Sequence, residues 1–331
     1  MGKIKALMET MLGKANGVAS LNSDGKLADE QIPSLEKMGA VDYIKNLPFT
    51  RKNLLDNWYF ADPIDQRGGY VVPPGIAYYE NVGDATHIGL TDTYYTAKSD
   101  SSGSYSITVN GATYYVSPSN VVCGYTGAGY TIDRWAFSGL SNAPATVLIE
   151  SDCVRLLAAN SFRQPIENPY RFAGKKLTLS MLIGGVTTGA GSIGFVVDDA
   201  WIASTPLPTT TQKTLISVTA DIPSGLNTLK AWYYGGEGTD YRVYAAKLEL
   251  GSTQTLARNI GTEEQPNWVL NDPPPNKALE LAKCQRYYQL FSSADTRPKN
   301  LADYRPTMRA NPALGTININ GQTMYFADAN L

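Results

Sequence analysis

Leu177-Thr178-Leu179-Ser180-Met181-Leu182-Ile183 carries an apolar side chain at every second position. Successive residues of a strand face opposite sides, so Leu177, Leu179, Met181 and Ile183 share one face while Thr178, Ser180 and Leu182 share the other. The stretch therefore predicts a strand half-buried against a core. The same pattern continues outward from it. Ser192 to Ala203, Lys213 to Thr219, Leu226 to Tyr234 and Tyr241 to Leu250 are further strand candidates. Gly184-Gly185, Pro206, Pro208, Pro223 and Gly235-Gly236 stand in the gaps, where turns belong. Short strands at regular spacing predict a mainly β chain.

Upstream, Ser104 to Val109 and Ala112 to Val116 flank Asn110-Gly111, the favoured two-residue hairpin turn. That register places Tyr105, Ile107, Val109, Ala112, Tyr114 and Val116 on one face. Ser106, Thr108, Thr113 and Tyr115 fall on the other. Downstream, Asn271-Asp272-Pro273-Pro274-Pro275-Asn276 reads as a stiff linker, and residues 259–276 as a proline-rich connection. A helix is expected from Lys277 to Phe291, with Leu281, Cys284, Tyr288 and Phe291 forming one apolar stripe. Near the start, Ile4, Leu7, Met8, Met11 and Leu12 have the spacing of an amphipathic helix. A helix this short needs a partner to persist.

The bulk numbers remove several classes of function. A net charge of -2 gives no electrostatic case for nucleic acid or an anionic membrane. Met1-Gly2-Lys3-Ile4-Lys5 is not followed by an apolar run, and no stretch is long enough to span a bilayer. Export by a signal peptide and membrane insertion are therefore not expected. Cys123, Cys153 and Cys284 are far apart and odd in number, so they are expected to be small buried apolar side chains. His87 stands alone, too little for a histidine metal site or a catalytic triad. No nucleophile elbow, phosphate-binding loop or zinc-protease motif occurs. Gly184 to Gly191 is glycine-rich but sits between strand patterns with no helix start after it, and reads as a loop.

Several stretches together resemble bacteriophage tail fibres and related receptor-binding proteins. Gly17-Val18-Ala19-Ser20-Leu21-Asn22-Ser23-Asp24-Gly25-Lys26-Leu27, with Gln31-Ile32-Pro33, is similar to the block near the particle-facing end of such fibres. Asn53-Leu54-Leu55-Asp56-Asn57-Trp58-Tyr59-Phe60, then Pro63-Ile64-Asp65-Gln66-Arg67-Gly68, is similar to the opening of their central domain. Tyr130-Thr131-Ile132-Asp133-Arg134-Trp135 normally follows closely. Phe162 to Glu167, Gly174 to Ser180, Ala246 to Gly251, Glu280 to Tyr288 and the ending Phe326 to Leu331 also resemble the family. The chain departs from it at 69–128, an insertion where the family usually has a short turn.

The resemblance implies an N-terminal attachment and oligomerisation segment (1–50), a jelly-roll sandwich similar to carbohydrate-binding modules (51–258) with an inserted β subdomain (69–128), and a C-terminal α+β domain (277–331). It implies a homotrimer held to a tail or baseplate protein by its N-terminal segment, located in the virion and made in the host cytoplasm. The expected function is adhesion to a bacterial surface receptor, glycan or protein, without catalysis. A purely structural fibre or adaptor and a polysaccharide depolymerase remain as alternatives. Jelly-roll modules often hold calcium through acids of the first and last strands. Lys247 stands near one such place, so no metal and no cofactor are expected.

A depolymerase would require two carboxylates a short distance apart. Asp133, Glu150, Asp152, Asp198, Asp199, Glu263 and Glu264 are candidates, none in a catalytic motif. A glycan site would instead use flat aromatic surfaces with a few polar groups. Tyr94, Tyr95, Tyr115, Trp201, Trp232, Tyr233 and Tyr234 are the candidates. Strand alternation exposes either Tyr233 or its neighbours Trp232 and Tyr234. Trp58 and Trp135 belong to the shared motifs and are expected in the core.

Overall fold

The computed structural model describes residues 51–331 except 81–85, 91, 140–144, 160, 186–189, 293–296, 320 and 331. The expected N-terminal helix, the block at 17–33 and the centre of the glycine-rich loop lie outside the described residues. Thr50–Leu331 forms one compact unit.

The expected mainly β sandwich is present. Its strands run antiparallel along one path that folds over on itself. The back sheet has the order Val122–Tyr130, Ala145–Ile149, Val154–Leu157, Asp240–Leu250, Lys176–Gly185, Thr214–Asp221. The front sheet has the order Ala200–Pro206, Gly191–Val197, Leu229–Gly235, Ser161–Pro165, Ala136–Ser138, then Val122–Tyr130 again. The long strand belongs to both sheets. Gly127 pairs with Ala145 of the back sheet, while Ala128 pairs with Ser138 of the front sheet. Gly127 and Gly129 have φ of 95° and 131°, which glycine tolerates far better than other residues, and they let the strand turn the corner. At the opposite edge the Thr205 hydroxyl donates to Ser217 O at 3.0 Å.

Alternation fills the space between the sheets. Leu177, Leu179, Met181 and Ile183 meet Phe162, Ile193, Phe195 and Tyr233 across it. Trp135 stacks on Phe162 with ring centroids 4.7 Å apart, and Phe60 packs edge-on against both. Trp58 and Trp135 are buried.

The strand quoted first is buried on both faces, not one. Thr178 and Ser180 lie opposite Glu249 and Lys247 on the outer face. The chain after Leu250 doubles back over that face. Glu249 accepts from the amide and hydroxyl of Thr255, and the Lys247 ammonium bonds Asp272. Ala257–Asn259 and Trp268–Leu270 pair within this cover, so part of the expected linker is a hairpin. Local alternation does not record what a later segment places on top. The candidate Ser192 to Ala203 likewise divides into Gly191–Val197 and Ala200–Pro206, joined by a turn at Asp198 and Asp199, both at positive φ.

The insertion carries its own five-stranded sheet. Tyr105–Val109 and Ala112–Val116 pair in the expected register around Asn110-Gly111. Val72, Tyr78, Ile107, Val109, Tyr114 and Val116 form a small separate core. Its boundaries are narrower than 69–128. Tyr70–Val72 and Val122–Tyr130 pair with each other, and the second is the corner strand of the sandwich.

At the C-terminus the helix covers Lys277–Cys284 only, and Tyr288–Phe291 is a strand. It pairs with Gln322–Asp328, which also pairs with Ala313–Ile319. The aromatic-rich sequence fits a helical stripe and a strand equally well, and the distant partner decides. Cys153 and Cys284 are buried as expected, whereas Cys123 is exposed.

Candidate functional site

The outer face of the front sheet carries a row of side chains running across the strands. Gly194, Trp232, Arg163, Ala136 and Tyr130 are successive partners from strand to strand. Because Tyr233 points into the core, fully buried, Trp232 and Tyr234 must point outward. This settles the alternation that the sequence leaves open. Trp201, 44% exposed, begins the row. Its indole lies over Gly194, where a Cβ would come within 2.7 Å of the Trp201 ring. Glycine therefore allows the ring to lie against the sheet. Trp201 and Trp232 have centroids 6.0 Å apart and planes inclined by 54°.

Cations interleave with the rings. The Arg163 guanidinium lies 4.9 Å from the centre of the Trp232 ring, and the Lys230 ammonium 5.7 Å. Lys230 also pairs with Asp199 at 2.6 Å. Burial pulls the Arg163 guanidinium below its ordinary pKa, with Tyr130 and Asp199 opposing. Burial pushes the Tyr130 hydroxyl above its own. The Trp232 indole N–H is buried without a hydrogen-bond partner. Beside the row is a recess of about 660 Å³ whose walls include Tyr130, Arg163, Tyr170, Lys230 and Arg309, with no Asp or Glu among its described lining residues. Chemically this is a flat apolar strip edged by hydrogen-bond donors.

Of the aromatic candidates, Trp201, Trp232 and Tyr234 share this face. Tyr233 is core. Tyr94, Tyr95 and Tyr115 lie on the insertion, where Tyr95 packs against the small core and Tyr115 is 40% exposed. Sequence reasoning missed Arg163, Lys230 and Tyr130. Lys230 was accessible from the same alternation as Trp232. Arg163 and Tyr130 join only through strand pairing.

The carboxylate candidates have other occupations. Asp198 accepts from the amides of Thr228 and Asn227, which hold its carboxyl below the ordinary value. Glu150 binds Arg242 at 2.7 Å, and Asp152 faces Lys213 at 3.6 Å. Glu263 and Glu264 are exposed.

Asp133 belongs to an interlock built from the family-like stretches. Arg67 and Gln66 each donate to its carboxylate at 2.8 Å. Asn57 donates to the backbone of Ile64 and Asp133, and the Trp135 indole donates to Asn57 O. The C-terminal region joins the same knot. Arg67 reaches Asp328 and lies 3.7 Å from the Tyr288 ring centre, while Glu280 accepts from the Asn57 amide. Burial pushes the Asp133 carboxyl up to about 7 against the opposing pull of Arg67.

No known protein family matches the chain, and no curated protein matches it. Among solved structures, a family 4 carbohydrate-binding module is 14% identical, with a TM-score of 0.28, covering 39% of this chain and 87% of its own. The C-terminal family 22 module of Clostridium thermocellum Xyn10B is 15% identical, with a TM-score of 0.29 and coverages of 39% and 94%. The enzymatically active domain of bacteriophage CBA120 tailspike protein 4 is 13% identical, with a TM-score of 0.24; the match covers 39% of this chain and 19% of that one.

Proposed function

We propose that the chain is a tail-fibre subunit of a bacteriophage or phage-tail-like particle, and that it holds a bacterial surface glycan on the row through Trp201, Trp232, Arg163 and Tyr130. The row is the observation that carries this reading. A sugar ring offers an apolar C–H face to an indole and hydroxyls to the groups beside it. Trp201 and Trp232 supply the first kind of surface. Arg163 and Lys230 supply the second. The tail-fibre assignment rests on the family-like stretches between Gly17 and Leu331. It brings with it a homotrimer, attachment to a tail or baseplate protein through residues 1–50, and residence in the virion. Three weak sites on one fibre would bind a cell by avidity. The row's function is recognition, not cleavage.

The test is binding of the full chain to a glycan array and to intact bacterial cells, beside Trp232→Ala. The expected result is saturable binding to a defined glycan class that the variant loses. Equal binding by both proteins, or none by either, overturns the reading. So does release of reducing ends from the bound glycan.

A further inference from the structure

A second recess, of about 790 Å³, concentrates positive charge. The segment Ile166–Phe172 stands between it and the recess beside the row: Asn168, Pro169 and Tyr170 line the one, while Glu167, Arg171 and Phe172 line the other. Arg51, Lys52, Arg134, Arg171 and Lys175 line this second recess, joined by Lys283 and Arg286 of the C-terminal region. Against these seven cations stand two lining carboxylates, Asp56 and Glu167. The net charge of -2 for the whole chain conceals this concentration.

Both carboxylates are engaged. Asp56 faces Arg134 at 3.3 Å, and Glu167 takes Arg286 at 3.3 Å and the Tyr287 hydroxyl at 2.7 Å. Lys283 pairs with Glu280. Lys52, Arg171 and Lys175 are exposed and have no ion pair among the described residues. Arg134 is the telling member. Its side chain is 2% exposed, its guanidinium lies 3.4 Å from the Tyr287 ring centre, and Nη2 donates to Pro165 O. Its Nη1 is buried with no partner. A buried guanidinium N–H without an acceptor is costly, and native structures retain few of them. Arg134 holds this position at a φ of 75°, a conformation rare for residues other than glycine. Leu54, Ile166 and Phe172 add an apolar wall.

We infer that this recess binds an oxyanion carried on a saccharide, a phosphate or a carboxylate, at a site separate from the aromatic row. Arg171 offers a planar pair of donors, and Lys52 and Lys175 offer point charges, the usual complement of such groups. The apolar wall accommodates the sugar that carries the charge.

The experiment titrates the isotopically labelled full chain with glucose 6-phosphate, glucuronate, inorganic phosphate and glucose, at low and physiological salt, and follows amide shifts. The expected result is saturable binding of one or both charged sugars, with glucose inert and affinity falling as salt screens the charges. A response to glucose 6-phosphate and phosphate marks a phosphoryl ligand; a response to glucuronate marks a carboxylate. The double variant Arg171→Ala, Lys175→Ala removes two exposed side chains and should keep the native melting temperature. It should weaken binding by about tenfold or more, the effect of losing charge-assisted contacts. Trp232→Ala should bind the anion unchanged, even if the glycan reading of the row fails. Equal response to glucose and the charged sugars overturns the inference, as does an unaffected double variant, loss of anion binding in Trp232→Ala, or no anion response at all.

Discussion

The interlock around Asp133 and the row through Trp232 use similar residues to opposite ends. In the interlock, Arg67 and Asp133 have side-chain exposures of 8% and 1% and satisfy each other at 2.8 Å. The aromatic rings there, Trp135 and Tyr288, are buried. In the row, Trp201 and Tyr234 face outward, and Arg163 spreads over a half-buried indole. A scaffold saturates its polar groups internally; a recognition surface leaves some for a ligand. The family-like stretches supply the whole of the first region, and Tyr130 and Arg163 of the second, while Trp201 and Trp232 lie outside them.

The largest expected effect comes from separating the two regions by mutation. Arg67→Ala leaves a buried carboxylate without its cation and should cost about 3–5 kcal/mol. Thermal melts should then fall by about 10 °C, while the folded protein keeps its glycan affinity. The loss has a pH signature. Asp133 titrates higher in the folded chain, at about 7, than its ordinary value in an unfolded one. Its proton is therefore bound more tightly in the folded state. The stabilisation this gives is complete below the unfolded pKa and disappears as pH rises through the folded value. Arg67→Ala should thus be least damaging at acidic pH, where Asp133 is neutral, and most damaging at pH 8. A deficit independent of pH between 5 and 8 would show that Asp133 is not the group left unpaired.

Trp232→Ala is the reciprocal change. Glycan affinity should fall by about tenfold or more, while the melting temperature moves by only about 2–4 °C for a half-buried side chain. If stability collapses with affinity intact, the row is scaffold and the comparison fails.

Gly111→Ala places a Cβ at a φ of 83° with no atom within 4 Å, so its cost is purely conformational. About 1 kcal/mol should be lost from the inserted sheet alone. Hydrogen exchange should quicken in 105–116 while the sandwich strands keep their protection. The smallest effect is expected for Tyr115→Ser, which removes an exposed ring from the insertion. Glycan affinity should change by less than about threefold. A larger loss measured on the same array would extend the recognition surface onto the insertion.

The parts of this arrangement legible in the sequence are those set by neighbouring residues. Period-two alternation marks Lys176–Gly185, and Asn110-Gly111 fixes the hairpin register, because both follow from local backbone geometry. What escaped depends on distant chain. Tyr288–Phe291 is a strand because Tyr325 to Asp328 pairs with it. Thr178 and Ser180 are buried because Thr255 to Asp272 folds over their sheet. Arg163 joins Trp232 because their strands happen to be neighbours. The basic recess was equally hidden, since its cations come from segments far apart that only folding brings together.

The ladder between Tyr70–Val72 and Val122–Tyr130 has a practical consequence. It brings the two ends of the insertion side by side at the corner of the sandwich, where Tyr95–Thr96 pairs back onto Tyr70–Val72 and Ser99 meets Asn318 and the Gly321 amide of the C-terminal region. A foreign segment spliced between Val72 and Val122 would meet the same two anchor points, but it would have to replace the Tyr95–Thr96 pairing and the Ser99 contacts with the C-terminal region. The corner is thus a port at which inserted chain can be exchanged only if the newcomer renews those neighbouring contacts.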